Sequence, residues 1–158
     1  MNYINLLKQS AKKCGNCVCM GLDPIAEFLP QKEKLNDTIT HFFENLFNKM
    51  KERGLSPAAF KPNIGYYTAY DHPFENDFSG SIALASVIKM VKKIFPSTPI
   101  ILDSKRGDIA RSSLNYALEA FDVWQADCTT VSPYMGSDSI EPFIKEKYFE
   151  KGIYLLNR

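Results

Sequence analysis

The sequence predicts an α/β protein, a TIM-type (β/α) barrel of which about five of eight units are present, and three observations lead there. Apolar strand-like runs alternate with longer stretches of helical period, five times in succession. The runs are nearly continuously apolar, as strands of a parallel sheet buried on both faces must be. Polar residues recur where the runs end: Asp23 after the first, Lys61 near the end of the second, Asp103 after the third, Ser132 and Tyr134 after the fourth. A barrel gathers such strand ends around one mouth, whereas an open sheet concentrates its ligand at a single switch point. No Gly-x-Gly-x-x-Gly follows any strand, which argues against a dinucleotide-binding sheet.

The elements follow in order. Cys17 to Leu22 is the first strand, ended by Asp23-Pro24, and Leu35 to Arg53 carries the first helical pattern, stopped by Gly54. The second strand is Ala58 to Pro62. The helix Ser81 to Phe95 ends at Pro96, and the third strand is Pro99 to Leu102. Side chains on a strand repeat every two residues, so Asp103 and Lys105 leave this strand on one side and share a site. Gly107 permits a sharp turn there, and Asp108 stands directly before the helical pattern Ile109 to Phe121, where an Asp can also cap the helix. Asp127 to Val131, a helix over Asp138 to Phe149 and a fifth strand, Gly152 to Leu156, complete the series. A complete barrel takes about 250 residues. Residues 1–158 are therefore expected to form one domain, a partial barrel truncated at the C-terminus.

Composition bounds the function. The chain has 45% hydrophobic residues and a formal net charge of +1, enough apolar content for a core and no excess of either charge. That balance gives no electrostatic reason for a nucleic-acid or membrane partner and favours a small-molecule ligand. No apolar run approaches the roughly 20 residues of a membrane span, and the N-terminus lacks a signal pattern, so a cytoplasmic protein is expected. Cys14-Gly-Asn-Cys17 has the spacing of a redox or zinc half-site, but Cys128, His41 and His72 are scattered and supply no second half. Cys17 and Cys19 read instead as small buried strand residues, and no metal site is expected. Arg106 and Arg111 read as solvated or interface charges, and Tyr66, Tyr67 and Tyr70 as packing residues.

Asp103-Ser-Lys105-Arg-Gly-Asp108-Ile109 resembles the D-x-K-x-x-D-I signature of the orotidine 5′-phosphate decarboxylase family. Met20-Gly-Leu-Asp23-Pro, Ala59-Phe-Lys61-Pro-Asn63 and Thr130-Val-Ser-Pro133-Tyr-Met-Gly136 are similar to the motifs of its first, second and fourth strands, and their forms look most like its bacterial branch with longer chains. The resemblance implies cofactor-free decarboxylation of orotidine 5′-monophosphate to uridine 5′-monophosphate in pyrimidine nucleotide synthesis. It implies that Lys61, Asp103, Lys105 and Asp108 form an alternating Lys-Asp-Lys-Asp charge network, with Lys105 as proton donor to C6. In the family the last Asp comes from the other subunit of a homodimer, so Asp108 and Ile109 are expected to act across an interface. Asp23 matches a residue that binds the ribose hydroxyls, Lys61 also touches substrate, and Ser112 stands where the family usually has Thr.

The pattern departs from the family in one respect. The phosphate-gripping Arg and the base-reading Ser of the family follow the fifth strand, where this sequence ends, so the 158 residues alone are expected to be inactive or nearly so. Two other readings compete: a magnesium-dependent sugar-phosphate aldolase or decarboxylase of the same superfamily, and a catalytically incomplete barrel fragment. Arg106-Gly107 and Phe60-Lys61-Pro-Asn63 favour the orotidine branch.

Overall fold

The computed structural model describes residues 1–30 and 34–157. An N-terminal helix, α1 (Tyr3–Cys14), is followed by β1 (Cys19–Gly21), α2 (Leu35–Glu52), β2 (Ala59–Lys61), a single turn α3 (Gly65–Thr68) and α4 (Ser79–Ile94). Then come β3 (Ile101–Arg106), α5 (Ala110–Leu118), β4 (Cys128–Val131), a short α6 (Glu141–Ile144) and β5 (Gly152–Leu155). All the strand pairings are parallel. β1 pairs with β2, β4 lies between β3 and β5, and the bridges Phe60 to Ile100 and Asn63 to Asp103 carry the order across from β2 to β3.

Strand alternation sorts the side chains into two layers. Phe60, Ile100, Leu102 and Val131 face the helices, where they join Phe43 and Phe47 of α2 and Leu84, Val87 and Val91 of α4. Those helical residues recur at spacings of three and four, which puts each set on one stripe. Phe47 is fully buried and its ring lies 5.5 Å from Phe60 and 5.7 Å from Phe95, so the helices and β2 share one aromatic seam. On the opposite face Ala59, Ile101 and Cys128 meet Tyr3, with Leu7 packed beside them, so α1 covers the lower part of that face. Lys61, Asp103 and Thr130 are two residues further along the same strands and rise from the same face.

The strands fall where the apolar runs predict, with one difference that matters. β3 continues to Arg106, so Asp103 and Lys105 lie within the strand and not beyond its end. The helix α1 has no counterpart among the expected elements, although its signals are present. Asn2 Oδ1 accepts the Asn5 amide at 3.0 Å, Lys12 and Lys13 occupy the last turn, and Gly15 closes the helix at φ +69°. The helix expected over Asp138 to Phe149 is broken instead: Pro142 fits only in a first turn, and Lys145 turns extended at ψ 160°. The helix expected to reach Phe121 runs regularly to Leu118 and then widens into a π turn over Glu119–Val123.

Cys17 and Cys19 are exposed, which corrects their expected burial; Cys128 is the buried thiol. The short β1 has an exposed, intermediate, exposed pattern, so Met20 faces the core and its neighbours do not. Tyr67 is fully buried and its hydroxyl donates to the Leu22 carbonyl at 2.7 Å, fixing the exit of β1. No described helix is long and apolar enough to cross a membrane.

Candidate active site

Asp103 is the centre of the site. It is buried, at 5% exposure, and both its carboxylate oxygens are engaged. Lys61 Nζ, from the end of β2, donates to Oδ2 at 2.9 Å, and Lys105 Nζ, two residues along β3, donates to Oδ1 at 2.6 Å. Thr130 Oγ1, from β4, gives Oδ1 a second hydrogen bond at 2.8 Å. Three neighbouring strands thus deliver one carboxylate, two ammonium groups and a hydroxyl to one point, because the period of two sends all of them to the same face.

The electrostatics follow from these contacts. Burial pushes the Asp103 carboxyl up, but hydrogen bonds from Lys105, Lys61 and Thr130 outweigh it and hold the group below the usual carboxylate range. Burial likewise works against the charge on Lys61, and Asp103, helped by Asp23 and Cys19, overcomes it and raises the ammonium above its ordinary value. Both partners are fixed in their charged forms at neutral pH. A buried carboxylate shared by two lysines, one of them half exposed, can present a cation toward solvent while keeping that cation's position.

Backbone geometry sets the direction of Lys105. Its φ is +48°, a left-handed conformation that costs a non-glycine residue about 1–2 kcal/mol. Gly107 serves a different purpose from the turn expected of it. Its φ is not positive; rather, a Cβ there would stand 2.2 Å from the Ser132 carbonyl oxygen, because the exits of β3 and β4 are drawn together by the Ser132 amide donating to the Arg106 carbonyl at 2.7 Å. Gly107→Ala is therefore expected to push these exits apart, lowering the urea midpoint and misplacing Lys105. A variant with unchanged midpoint and a retained Arg106 to Ser132 bond in its structure would contradict this.

The remaining expected residues fall into two groups. Asp23 is exposed at the exit of β1, and its Oδ1 accepts the Asn63 amide at 2.9 Å, which ties it to the end of β2 beside Lys61. Asp108, Ile109 and Ser112 sit on the loop and first turn after β3, and none of them hydrogen-bonds or ion-pairs with Lys61, Asp103 or Lys105 among the described residues. Asp108 does not cap α5 from its side chain in the usual way: its Oδ1 accepts the amide of the adjacent Ile109 at 2.7 Å. The loop is held by Ser113, whose buried hydroxyl accepts the Asp108 amide and donates to the Asp108 carbonyl at 2.7 Å.

Two residues here stand inside the quoted motifs with no role in the site expected of them, Arg106 having read as a solvated or interface charge. Thr130 is one, and the second polar residue of Thr129-Thr130 in a wholly buried strand is the signal that could have marked it. Arg106 is the other. It is not a free surface charge, since its Nε and Nη2 form a fork on the Glu119 carboxylate at 3.1 Å each, and its guanidinium lies 5.2 Å from the Tyr116 ring centroid. No local spacing announces a pair thirteen residues apart.

The chain is similar to known proteins along its whole length. The chain is 37% identical over 159 residues to an orotidine 5′-phosphate decarboxylase of Leptothrix cholodnii and 37% identical over 160 residues to one of Cellvibrio japonicus. The alignments take in 100% of this chain but 51% and 54% of those proteins, so it spans about half their length. The solved OMP decarboxylase of Leishmania donovani superposes with a TM-score of 0.75 at 32% identity, over 98% of this chain and 53% of that one. The model of the Orotidine 5'-phosphate decarboxylase / HUMPS family matches residues 16–158, which includes every strand and every residue of the Asp103 cluster, and the chain belongs to that family.

Proposed function

We propose that the protein carrying this chain decarboxylates orotidine 5′-monophosphate to uridine 5′-monophosphate, without a cofactor, in the cytoplasm, as a step of pyrimidine nucleotide synthesis. In this reading residues 1–158 are one domain and its five parallel strands are the first five units of an eight-unit barrel. The observation that carries the proposal is the single buried carboxylate of Asp103 held between Lys61 and Lys105, at 2.9 Å and 2.6 Å.

Loss of carbon dioxide from C6 leaves an anion that no adjacent carbonyl delocalises, so a cation must stand where that charge develops. Lys105 supplies it and then gives C6 its proton, as general acid. Asp103 faces the departing carboxylate, and two like charges about 4 Å apart repel by about 4 kcal/mol at an effective dielectric near 20, a repulsion that ends as carbon dioxide leaves. Lys61 keeps Asp103 charged and reaches the substrate, and Asp23 receives the ribose hydroxyls.

Asp108 and Ile109 complete the network of a second copy of the chain. Asp108 forms no ion pair within its own chain among the described residues, and Ile109 is 56% exposed at the start of α5. Tyr134 and Met135 on the β4 exit are 91% and 47% exposed, and the Asp138 carboxylate of the same segment accepts the Ala110 amide at 3.4 Å. Exposed apolar side chains on the two loops that follow β3 and β4 suit burial against a partner. In this reading Ser112, in the first turn of α5, follows Asp108 into that shared site.

The test is turnover of orotidine 5′-monophosphate with and without a chelator. Undiminished carbon dioxide release in chelator is expected, and loss of activity would instead favour the magnesium-dependent sugar-phosphate chemistry of related enzymes. Mixing an Asp108 variant with a Lys105 variant is expected to restore activity, because one of the two hybrid interfaces is wild type. No recovery on mixing would reject the shared site.

A further inference from the structure

We propose that Thr130 is a positioning residue for the reaction: its hydroxyl accepts the Lys105 amide and donates to Asp103, holding the bulge of β3 so that carboxylate and ammonium enter the site together. The inference rests on the decarboxylase reading of the Asp103 cluster and adds a residue to it.

The reason lies in the register of β3 against β4. Leu102 pairs with Thr129, and the next pair is Arg106 with Val131, so Asp103, Ser104 and Lys105 all stand opposite Thr130. A bulge of this size takes its residues out of the β4 ladder; Asp103 keeps its backbone bonds to Pro62 and Ile64 on the β2 side, whereas the Lys105 amide needs another acceptor, and an amide buried without one is costly. The β4 side chains replace the missing ladder. Thr130 Oγ1 accepts the Lys105 amide at 2.9 Å, Thr129 Oγ1 donates to the Leu102 carbonyl at 2.9 Å, and Ser104 Oγ lies 2.9 Å from Thr129 Oγ1.

The two hydrogen bonds of Thr130 impose directions on one another. A hydroxyl has one proton, and the Lys105 amide can only donate, so the Thr130 proton points to Asp103 Oδ1. That oxygen also takes Lys105 Nζ at 2.6 Å. A closed circuit results: the Lys105 amide donates to Thr130, Thr130 donates to Asp103, and the Lys105 ammonium donates to the same Asp103 oxygen. It explains how Lys105 persists at φ +48° without glycine. Valine, equal in shape to threonine, would leave the amide without its acceptor and Asp103 without one of the three donors that keep it charged.

Kinetics of Thr130→Val and Thr130→Ser in the whole protein test the proposal, with amide hydrogen exchange at Lys105 as a second readout. Thr130→Val is expected to lower kcat by about a hundredfold with KM within about threefold, since a misplaced reacting group costs rate more than binding. The Lys105 amide should exchange faster, and Thr130→Ser should restore both quantities to within about threefold of wild type. If Thr130→Val does not fold, Thr130→Ala takes its place with the same expectations. The proposal is overturned if the hydroxyl-free variant keeps kcat within about threefold, or if serine does no better than valine. Wild-type turnover of orotidine 5′-monophosphate, measured alongside, separates the two failures: no turnover by the wild-type protein rejects the decarboxylase reading itself, while an active wild type beside an equally active Thr130→Val rejects only the role of Thr130.

Discussion

Lys105→Ala is expected to remove turnover by at least about a thousandfold, equivalent to about 4 kcal/mol of transition-state stabilisation. Under the proposed reaction two contributions would be lost together, the cation opposite the developing charge and the proton for C6. The substitution should leave the fold in place, because the Lys105 side chain is 51% exposed and its backbone amide is held by Thr130 whatever the side chain. Nucleotide binding should therefore be largely intact. A variant keeping more than about a tenth of the wild-type rate, a loss under about 1.4 kcal/mol, would refute the assignment of Lys105.

Asp103→Asn carries the second large effect, on rate and stability at once. Asparagine keeps the shape and hydrogen-bonding reach of the side chain but leaves the ammonium groups of Lys61 and Lys105 beside each other with no carboxylate between them. Breaking a buried ion pair costs about 3–5 kcal/mol; here one lysine is half exposed, so solvent screening reduces the loss to about half of that. The rate should fall at least a hundredfold, by about 2.7 kcal/mol. Asp103 and Lys61 make stability depend on pH in opposite senses. The carboxyl of Asp103 is lowered in the folded protein, so its contribution is present above its unfolded value of 3.8 and is lost as pH falls through the lowered folded value. Lys61 is raised, so its contribution is full below 10.5 and is lost as pH rises through the raised value. Unfolding followed from pH 2 to 7 should show a steeper acid loss in wild type than in Asp103→Asn; parallel curves would mean that Asp103 is not held in the charged form.

The sequence was legible where local pattern and distance from the site coincide. Alternating runs place all five strands, and the i, i+2 spacing of Asp103 and Lys105 correctly puts them together. Lys61 joins them through a partner 42 residues away, which the strand order supplies and the spacing alone cannot. What was not legible depends on long-range register. The bulge opposite Thr130, the fork of Arg106 on Glu119 and the approach of Gly107 to Ser132 are each decided by how two distant segments align. The exposure of Cys17 and Cys19 has the same origin, since alternation assigns faces but only the neighbouring elements decide which face is covered. α1 was missed for the opposite reason, because its Asn cap and closing Gly are local signals that stood outside the repeating series.

The docking of α1 ties the first residues of the chain to the last strand. The Met1 amino group pairs with Glu150 at 2.8 Å, Tyr3 Oη lies 3.0 Å from Tyr154 Oη, and a Cβ on Gly152 would strike the Tyr3 ring at 2.2 Å. These contacts close a loop of about 150 residues, the costliest kind to form early. α1 precedes the aromatic seam of α2, β2 and α4 in the chain and β5 follows it, so the seat of α1 on Ala59, Ile101 and Cys128 is completed only when β5 joins them. The helix is a clasp that reaches from β2 to β5 and shuts only when both ends of this stretch of chain have met.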